Sequence, residues 1–230
     1  MDKSSMYDTL LNLPLFQGVS RECITHTVGR SKFHFLKYAP GETLILSGEL
    51  CTHIKFVLSG TVKTILSEKS GKLTVEQEFN GPEVIMPSFL FGRDIAYPCE
   101  VTAVTPVSML QIEKGEYLDI LSSDSVFLLN YLNYLSVNSQ KALSGALNSS
   151  DGNATKRVLY RMLSLSQASA KSIIIKSRGE NLNECFGEPA ERFERILENL
   201  KNDGLLDYER NVIEIKDRRG LEDYFKNSLF

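Results

Sequence analysis

The 230-residue sequence has no run of about 18 or more apolar residues, so it offers no membrane-spanning helix. Its four cysteines, Cys23, Cys51, Cys99 and Cys185, are dispersed, with no Cys-x-x-Cys pair. That spacing argues against a structural zinc or iron–sulfur site and predicts free thiols in a reducing cytoplasm. The three histidines, His26, His34 and His53, are isolated. Metal chemistry on a cupin-like barrel wants His-x-His with a further acid and histidine converging on the ion. No Gly-x-Ser-x-Gly elbow and no P-loop occurs. An enzyme, a metal and a cofactor are therefore not expected. Positive charge is not in excess either: the formal net charge is -3, so composition carries no overall sign of nucleic-acid binding. From Asp151 onward Lys+Arg and Asp+Glu balance at 14 each. A nucleic-acid function would have to rest on the local placement of charge. The stretch "MDKSSMYDTLLNLPLF" has an early acid and no small-residue cleavage site after an apolar core, so it does not read as a signal peptide.

The hydrophobic content of 42% and charged content of 24% are ordinary for a soluble globular protein, and the length allows two small domains. A first helix is expected from Ser4 to Asn12. Ser20 is placed to cap a second one through Gly29. From Phe33 short β-rich runs follow: "KFHFLKY", "TLILS", "IKFVLS", "TVKTILS", "KLTVEQEF", "CEVTAV" and "SMLQIE". Between them stand Gly- and Pro-bearing turn signals such as "APGE", "SGEL" and "NGPE". About eight short strands predict an antiparallel barrel or jelly roll. At Lys114 the period changes. "KGEYLDILSS" reads as a short helix, and a longer one is expected from Ser125 to about Ser149. Along it Leu128, Leu132, Leu135, Ser139, Ala142 and Ala146 alternate at spacings of four and three, which predicts a seam for a symmetric dimer. Asp151–Gly152 breaks the helix. The expected division is 1–123, a β-roll sensor domain, then 124–150, a dimerisation helix, then 151–230, a second domain.

In that second domain "ATKRVLYRMLSLSQASA" reads as an amphipathic helix with Val158, Leu159, Met162, Leu163 and Leu165 inward, and "KSIIIKS" as a strand. A short helix then runs to about Phe186, with Gly187 as the turn. Pro189 stands at the first helical position, where its missing N–H costs nothing. The next helix runs to about Asn202 with Phe193, Ile196, Leu197 and Leu200 inward, and Asp203–Gly204 stops it. "LLDYERNVIEI" supplies two strands around a turn at Glu209–Asn211. Helix, turn, helix and hairpin is the winged helix-turn-helix order. In that reading the outward face carries Ala190, Glu191, Arg192, Glu194, Arg195, Glu198 and Asn199. Arg195 is placed to read guanine and Glu191 to accept from a cytosine amino group. Lys176, Arg178, Lys201 and Arg210 are expected at phosphates. The same helix is nearly as acidic as it is basic, which equally describes a protein-interaction module.

Barrel, long helix and winged helix in this order resemble the CRP/FNR family of bacterial transcription regulators. The resemblance covers nearly the whole chain. It rests on "YAPGETLILSGEL", "IKFVLSGTVK", the turn glycines Gly41, Gly48, Gly60, Gly71 and Gly81, and "LNECFGEPAERFERILENLKNDGLL". The texture of "FLFGRDIAYPCEVTA" and "FLLNYLNYLS" looks most like regulators of the Bacteroides group. The resemblance implies a cytoplasmic homodimer on a palindromic DNA operator, with RNA polymerase as a further partner and a small-molecule effector of unknown identity. The family's reading glutamate falls on Glu191 and its second arginine on Arg195. Its first arginine falls on Ala190, a departure at the residue that reads the family's best-known operator.

The stretch "VIMPSFLFGRDIAYPCEVTAV", Val84 to Val104, lies where cyclic-nucleotide-binding members of the family hold the ligand. Their ribose-binding glutamate falls here on Pro87, their phosphate-binding arginine on Tyr97 and the adjoining serine on Pro98. The polar pair offered to the purine falls on Ala142 and Leu143. A buried phosphate monoanion needs paired donors and positive charge. Arg93, the only base of the cassette, is expected to point to solvent. Cyclic AMP and cyclic GMP are therefore not expected to bind in the usual way. The candidate effector pocket consists of Phe79, Phe89, Phe91, Arg93, Tyr97, Pro98 and Cys99, with Tyr131 or Tyr134 reaching in from the long helix. Two readings stand: a small, largely apolar or aromatic ligand occupies this interior, or the side chains fill it.

Overall fold

The structure is a computed structural model. It describes residues 3–67, 71–148, 153–179 and 181–227, the side chains of 3–6, 145, 146 and 148 excepted. Contacts divide the chain into two compact units. The first comprises residues 1–62 and 80–139, the second residues 63–79 and 140–230. The sequence places its boundaries after residues 123 and 150. The contacts instead divide the long helix after Ser139 and assign residues 63–79 to the second unit. The expected helix break at Asp151–Gly152 lies outside the described residues.

In the first unit, helices α1 (Lys3–Leu11) and α2 (Arg21–Arg30) precede the strands. The α2 cap is the one expected, with the Ser20 hydroxyl accepting the Cys23 N–H at 3.1 Å. Strands β1 (His34–Tyr38), β3 (His53–Ser59), β6 (Glu83–Ile85) and β8 (Val107–Glu113) form an antiparallel sheet in the order β1-β8-β3-β6. Strands β2 (Thr43–Ile45) and β7 (Cys99–Ala103) pair with each other, antiparallel. The sequence reading names seven runs; the strand it does not name is β6, three residues at the head of the irregular stretch. One face of β3 packs on the N-terminal segment. Phe16 meets Phe56 at 5.5 Å and Phe127 at 5.2 Å between ring centroids, both edge-on, and all three rings are fully buried. Aromatic burial of this kind dominates core energetics. Helix α3 (Lys114–Ser123) is capped by Glu113, whose carboxylate accepts the Gly115 and Glu116 N–H groups. Helix α4 runs from Ser125 to Asn148.

In the second unit, β10 (Asp207–Glu209), β11 (Val212–Ile215), β9 (Ser172–Ser177), β5 (Leu73–Asn80) and β4 (Thr61–Ser67) lie side by side in that order. Helices α5 (Ala154–Ser164), α6 (Leu182–Phe186), α7 (Ala190–Asn202) and α8 (Arg218–Asn227) pack around them. The shared core holds the expected Val158, Leu159, Met162, Phe193, Ile196, Leu197 and Leu200. It also holds Val75 from β5, with Leu66 and Leu73 packed against it. The last helix, α8, has no counterpart among the sequence expectations. It is fixed by Arg218, which is buried and ion-paired with Glu222 one turn on.

Candidate effector site and candidate nucleic-acid interface

The stretch from Val84 to Val104 is built in pieces. After β6, Met86 adopts the left-handed conformation (φ 41°), and Pro87–Phe89 make one 3₁₀ turn. The following loop is laced to the β2–β3 connection. The Tyr97 N–H donates to the Glu49 carbonyl at 2.9 Å, the Gly48 N–H to the Tyr97 carbonyl at 2.8 Å, and the Cys51 N–H to the Ile95 carbonyl at 2.7 Å. The Phe89 and Leu90 N–H groups close the 3₁₀ turn onto Met86 and Pro87. Pro87 and Pro98 have no N–H. The Phe89, Leu90 and Tyr97 N–H groups are therefore engaged within the protein, and the two prolines offer none.

Tyr97 is the centre of this region and is almost wholly buried. Its hydroxyl accepts from the Cys51 thiol at 2.9 Å and donates to the His53 carbonyl at 3.4 Å. Burial, then the Cys51 contact, pushes its pKa far above the ordinary tyrosine range. Beside the ring lies Lys55, 6% exposed, with its ammonium 5.2 Å from the ring centroid and 2.8 Å from the Glu49 carboxylate. Burial followed by the Lys55 charge lowers the pKa of neighbouring His53. Lys55 is a buried cation that the strand pattern gave no reason to place inside. It is already neutralised by Glu49 and by the aromatic face.

A second aromatic group forms where α4 passes the 3₁₀ turn. The Tyr131 hydroxyl donates to the Pro87 carbonyl at 2.9 Å. Its ring lies edge-on to Phe91 at 5.8 Å and to Tyr117 at 5.9 Å. The Lys114 ammonium sits 5.1 Å from the Phe91 centroid. Of the two tyrosines considered, Tyr131 makes the contact with the stretch. Tyr134, named for the pocket, is half-buried, and burial followed by the Glu83 charge raises its pKa. Phe79 is fully buried at the end of β5, and Phe89 and Phe91 are half-buried. Arg93 is exposed, as expected. Cys99 is fully buried, touches the Met86 sulfur at 3.5 Å, and is pushed up to about 12 by burial. At neutral pH it is a protonated thiol, the inert form.

On α4 the proposed seam is open. Leu128, Leu132, Ser139 and Ala142 are exposed and Leu135 half-exposed; the side chain of Ala146 lies outside the described residues. Leu129, Leu143 and Leu147 are exposed as well, so the apolar stripe is wider than the six expected positions.

In the second unit, α6 ends at Gly187, whose φ of 69° is left-handed and whose N–H caps onto Asn183 and Glu184. The chain then turns through Glu188 and Pro189 into α7. Glu188 is buried. Its carboxylate accepts from the Arg157 Nε at 2.9 Å and from Arg157 Nη2, and the Arg192 guanidinium stands 3.8 Å away. This cluster ties α5 to the turn. Ala190, Glu191, Arg192, Glu194, Arg195, Glu198 and Asn199 are all exposed. The β10–β11 turn carries Arg210 exposed with φ 48°, and Arg178 is exposed after β9. The two lysines expected at phosphates are engaged elsewhere. Lys176 pairs with Glu76 at 2.6 Å, and Lys201 with Asp207 at 2.9 Å.

Residues 35–124 match the family described as cyclic nucleotide-binding domain. The sequence matches no curated protein at a significant level. Among solved structures the chain is similar to the Thermus thermophilus catabolite activator protein, at 20% identity over 93% of this chain and 99% of that one, with a TM-score of 0.51. It is also similar to the sensor domain of the transcriptional regulator DNR from Pseudomonas aeruginosa, at 18% identity over 61% of this chain and 93% of that one, with a TM-score of 0.52. These neighbours are regulators of the CRP/FNR type, and at such identities the likeness establishes the fold: an antiparallel jelly roll of the cyclic-nucleotide-binding kind with helices. The sequence resemblance places the family's ligand contacts on Pro87, Tyr97 and Pro98. Pro87, Tyr97 and Pro98 offer neither the acid, the base nor the hydroxyl, and the buried cation nearby already has its counter-ion.

Proposed function

We propose that this protein is a DNA-binding transcription regulator of the CRP/FNR type. It acts as a homodimer through α4 and carries a winged helix-turn-helix in residues 151–230. The observation that carries this reading is α7 itself. Its apolar side is wholly committed to the core, its polar side is wholly exposed, and the glycine turn before it and the hairpin after it stand in winged-helix order. Arg195 and Glu191 are the base-reading residues of this proposal; Arg178 and Arg210, both exposed, are its phosphate contacts, whereas ion pairs hold Lys176 and Lys201. The effector is not cyclic AMP or cyclic GMP in the usual mode, and its chemistry suits the aromatic surroundings of Tyr97, Phe91 and Tyr131.

The test is selection of binding sites from random duplex DNA, followed by affinity against salt. A regulator enriches palindromic sites and loses affinity with a slope of roughly -0.9 per phosphate contact. Arg195→Ala relaxes preference at one base position by roughly 1–3 kcal/mol. No enrichment, together with salt-independent binding, would refute the reading. A second reading, an effector-binding or protein-interaction module on the same fold, is favoured by one observation. The exposed face of α7 bears Glu191, Glu194 and Glu198 against Arg192, Arg195 and Lys201, nearly as acidic as basic. Capture of one defined protein partner, abolished by charge reversal at these glutamates and indifferent to DNA, would support it.

A further inference from the structure

Strand β9 is the middle of the second unit's sheet. On one side it pairs with β11 over Ile173–Lys176. On the other side it pairs with β5, six residues in continuous antiparallel register from Leu73↔Ser177 to Glu78↔Ser172. No strand from residues 153–227 takes that second edge. Further bonds extend the join at both ends. The Arg178 N–H donates to the Lys72 carbonyl at 2.8 Å and the Lys171 N–H to the Glu78 carbonyl at 2.7 Å. The Gln77 side-chain carbonyl, buried, accepts the Gln167 N–H at 2.8 Å. Glu76 pairs with Lys176, and Val75 is part of the core under α5 and α7.

The base of the same hairpin is fixed in the first unit. The Gly81 N–H donates to the Gly60 carbonyl at 2.9 Å, the Thr61 hydroxyl to Asn80 Oδ1 at 2.9 Å, and the Val104 N–H to the Thr61 carbonyl at 2.9 Å. The chain thus passes between the units at three points, after residues 62, 79 and 139, and two of these are the legs of one hairpin.

We infer that the β4–β5 hairpin is a built-in strand donor. β5 completes the sheet that carries the 151–230 domain, and the hairpin is a second covalent route, beside α4, by which the β-roll acts on that domain. The β5–β9 pairing rests on geometry alone; only its consequence for DNA rests on the function proposed above. An edge strand left open exposes its N–H and C=O groups, so β9 without β5 is an incomplete sheet. Detaching the hairpin loosens the platform under α7 and the wing.

Hydrogen exchange on the full chain tests this. The Ser177 N–H points to Asn211 and the Arg178 N–H to Lys72. By the alternation of strand amides, the Ile174 and Lys176 N–H groups therefore face β5. They should be protected in the wild type. In Val75→Asp they should exchange more than about a hundredfold faster, because an unpaired carboxylate is buried at the join. Segment 107–113 should keep its protection. Leu73→Cys with Ser177→Cys gives a second readout that does not depend on burying a charge in the core. Mild oxidation should join the two peptides, identified by mass spectrometry, without loss of the folded state. Rapid wild-type exchange at Ile174 and Lys176, or failure of the bridge to form, would overturn the inference. Neither measurement requires DNA. A protein that passes both and selects no DNA site fails the functional reading and keeps the strand donor.

Discussion

Removing the carboxylate of Glu49 should cost far more than removing the ammonium it holds. Lys55 is 7% exposed at its side chain and Glu49 is 39% exposed. Breaking a fully buried pair costs about 3–5 kcal/mol because one charge is left without its partner. A fully exposed pair is worth about 0–1 kcal/mol. Glu49→Ala leaves the buried ammonium with the Tyr97 face and little water. It also removes the acceptor of the Leu46 N–H, a 3.2 Å bond. The expected loss is about 2–3 kcal/mol, and about half that for Glu49→Gln, which keeps a carbonyl for the lysine. Lys55→Met leaves Glu49 to solvent and puts an apolar stem of similar length under Tyr97, so its cost should stay within about 1 kcal/mol. Urea unfolding followed by circular dichroism reads this directly; at an m-value of about 2 kcal/mol/M, Glu49→Ala lowers the midpoint by roughly 1 M. The double variant should resemble Lys55→Met alone, giving a coupling of at least about 1 kcal/mol. Equal losses for the two single variants, or strict additivity, would refute the assignment of Lys55 as the desolvated partner.

Glu188→Ala should destabilise the second unit by about 2–3 kcal/mol, below the fully buried limit because the Arg157 side chain is 30% exposed. Denaturant unfolding checks it, with no loss counting against the cluster. Gly187→Ala should cost about 1 kcal/mol from backbone strain alone, since φ is +69° and a Cβ there meets nothing within 4 Å. Gly187→Asn should cost less, because asparagine tolerates that conformation, and the same unfolding assay ranks the two. Although burial alone would raise it, the pairs with Lys226 and Arg218 hold Glu222 down to about 2, from an ordinary 4.5. A carboxylate with a lowered folded pKa adds stability above the unfolded value and loses it as pH falls. Wild type should therefore exceed Glu222→Gln at pH 7, with the gap closing between about pH 4.5 and 2, as thermal unfolding across that range would register. Neither cyclic AMP nor cyclic GMP should raise the melting temperature in a saturable way near micromolar concentration; a saturable shift would mean that another set of donors replaces the family's contacts.

Most of the elements were legible because they are local. Ser20 and Gly187 mark helix ends by their own backbone chemistry, and the faces of α5 and α7 follow from a 3.6-residue period; Pro189, expected at the first helical position, stands one residue earlier, as the cap of α7. Two failures share a cause. "IKFVLS" is legible only as a short β-rich run and gives no sign that Lys55 is buried; β3 lies between β8 and β6, with Ile54, Lys55, Phe56 and Val57 all buried. "KLTVEQEF" reads as an ordinary hairpin strand of the barrel. That it pairs with a strand almost a hundred residues later is a non-local choice, set by which edge is open, and no periodicity encodes it.

The irregular stretch bears on the proposal that a shared fold has parted here from a shared ligand. The stretch lies within residues 35–124, which match the cyclic nucleotide-binding domain family. In the proposed reading the family's acid, base and hydroxyl fall on Pro87, Tyr97 and Pro98, none of which supplies that chemistry. Pro87 and Pro98 remove donors outright, and the Tyr97 N–H is spent on Glu49. Tyr97 fills the arginine's place with a ring whose hydroxyl turns inward to Cys51 and His53. Restoring one residue, such as Tyr97→Arg, would therefore not restore phosphate binding. The new guanidinium would enter beside Lys55 with only Glu49 to share, and like charges in a low-dielectric site repel. Such a variant should be destabilised and remain unresponsive to cyclic AMP, whereas a stable, nucleotide-binding Tyr97→Arg would show that the side chain alone, and not the laced backbone, had closed the site.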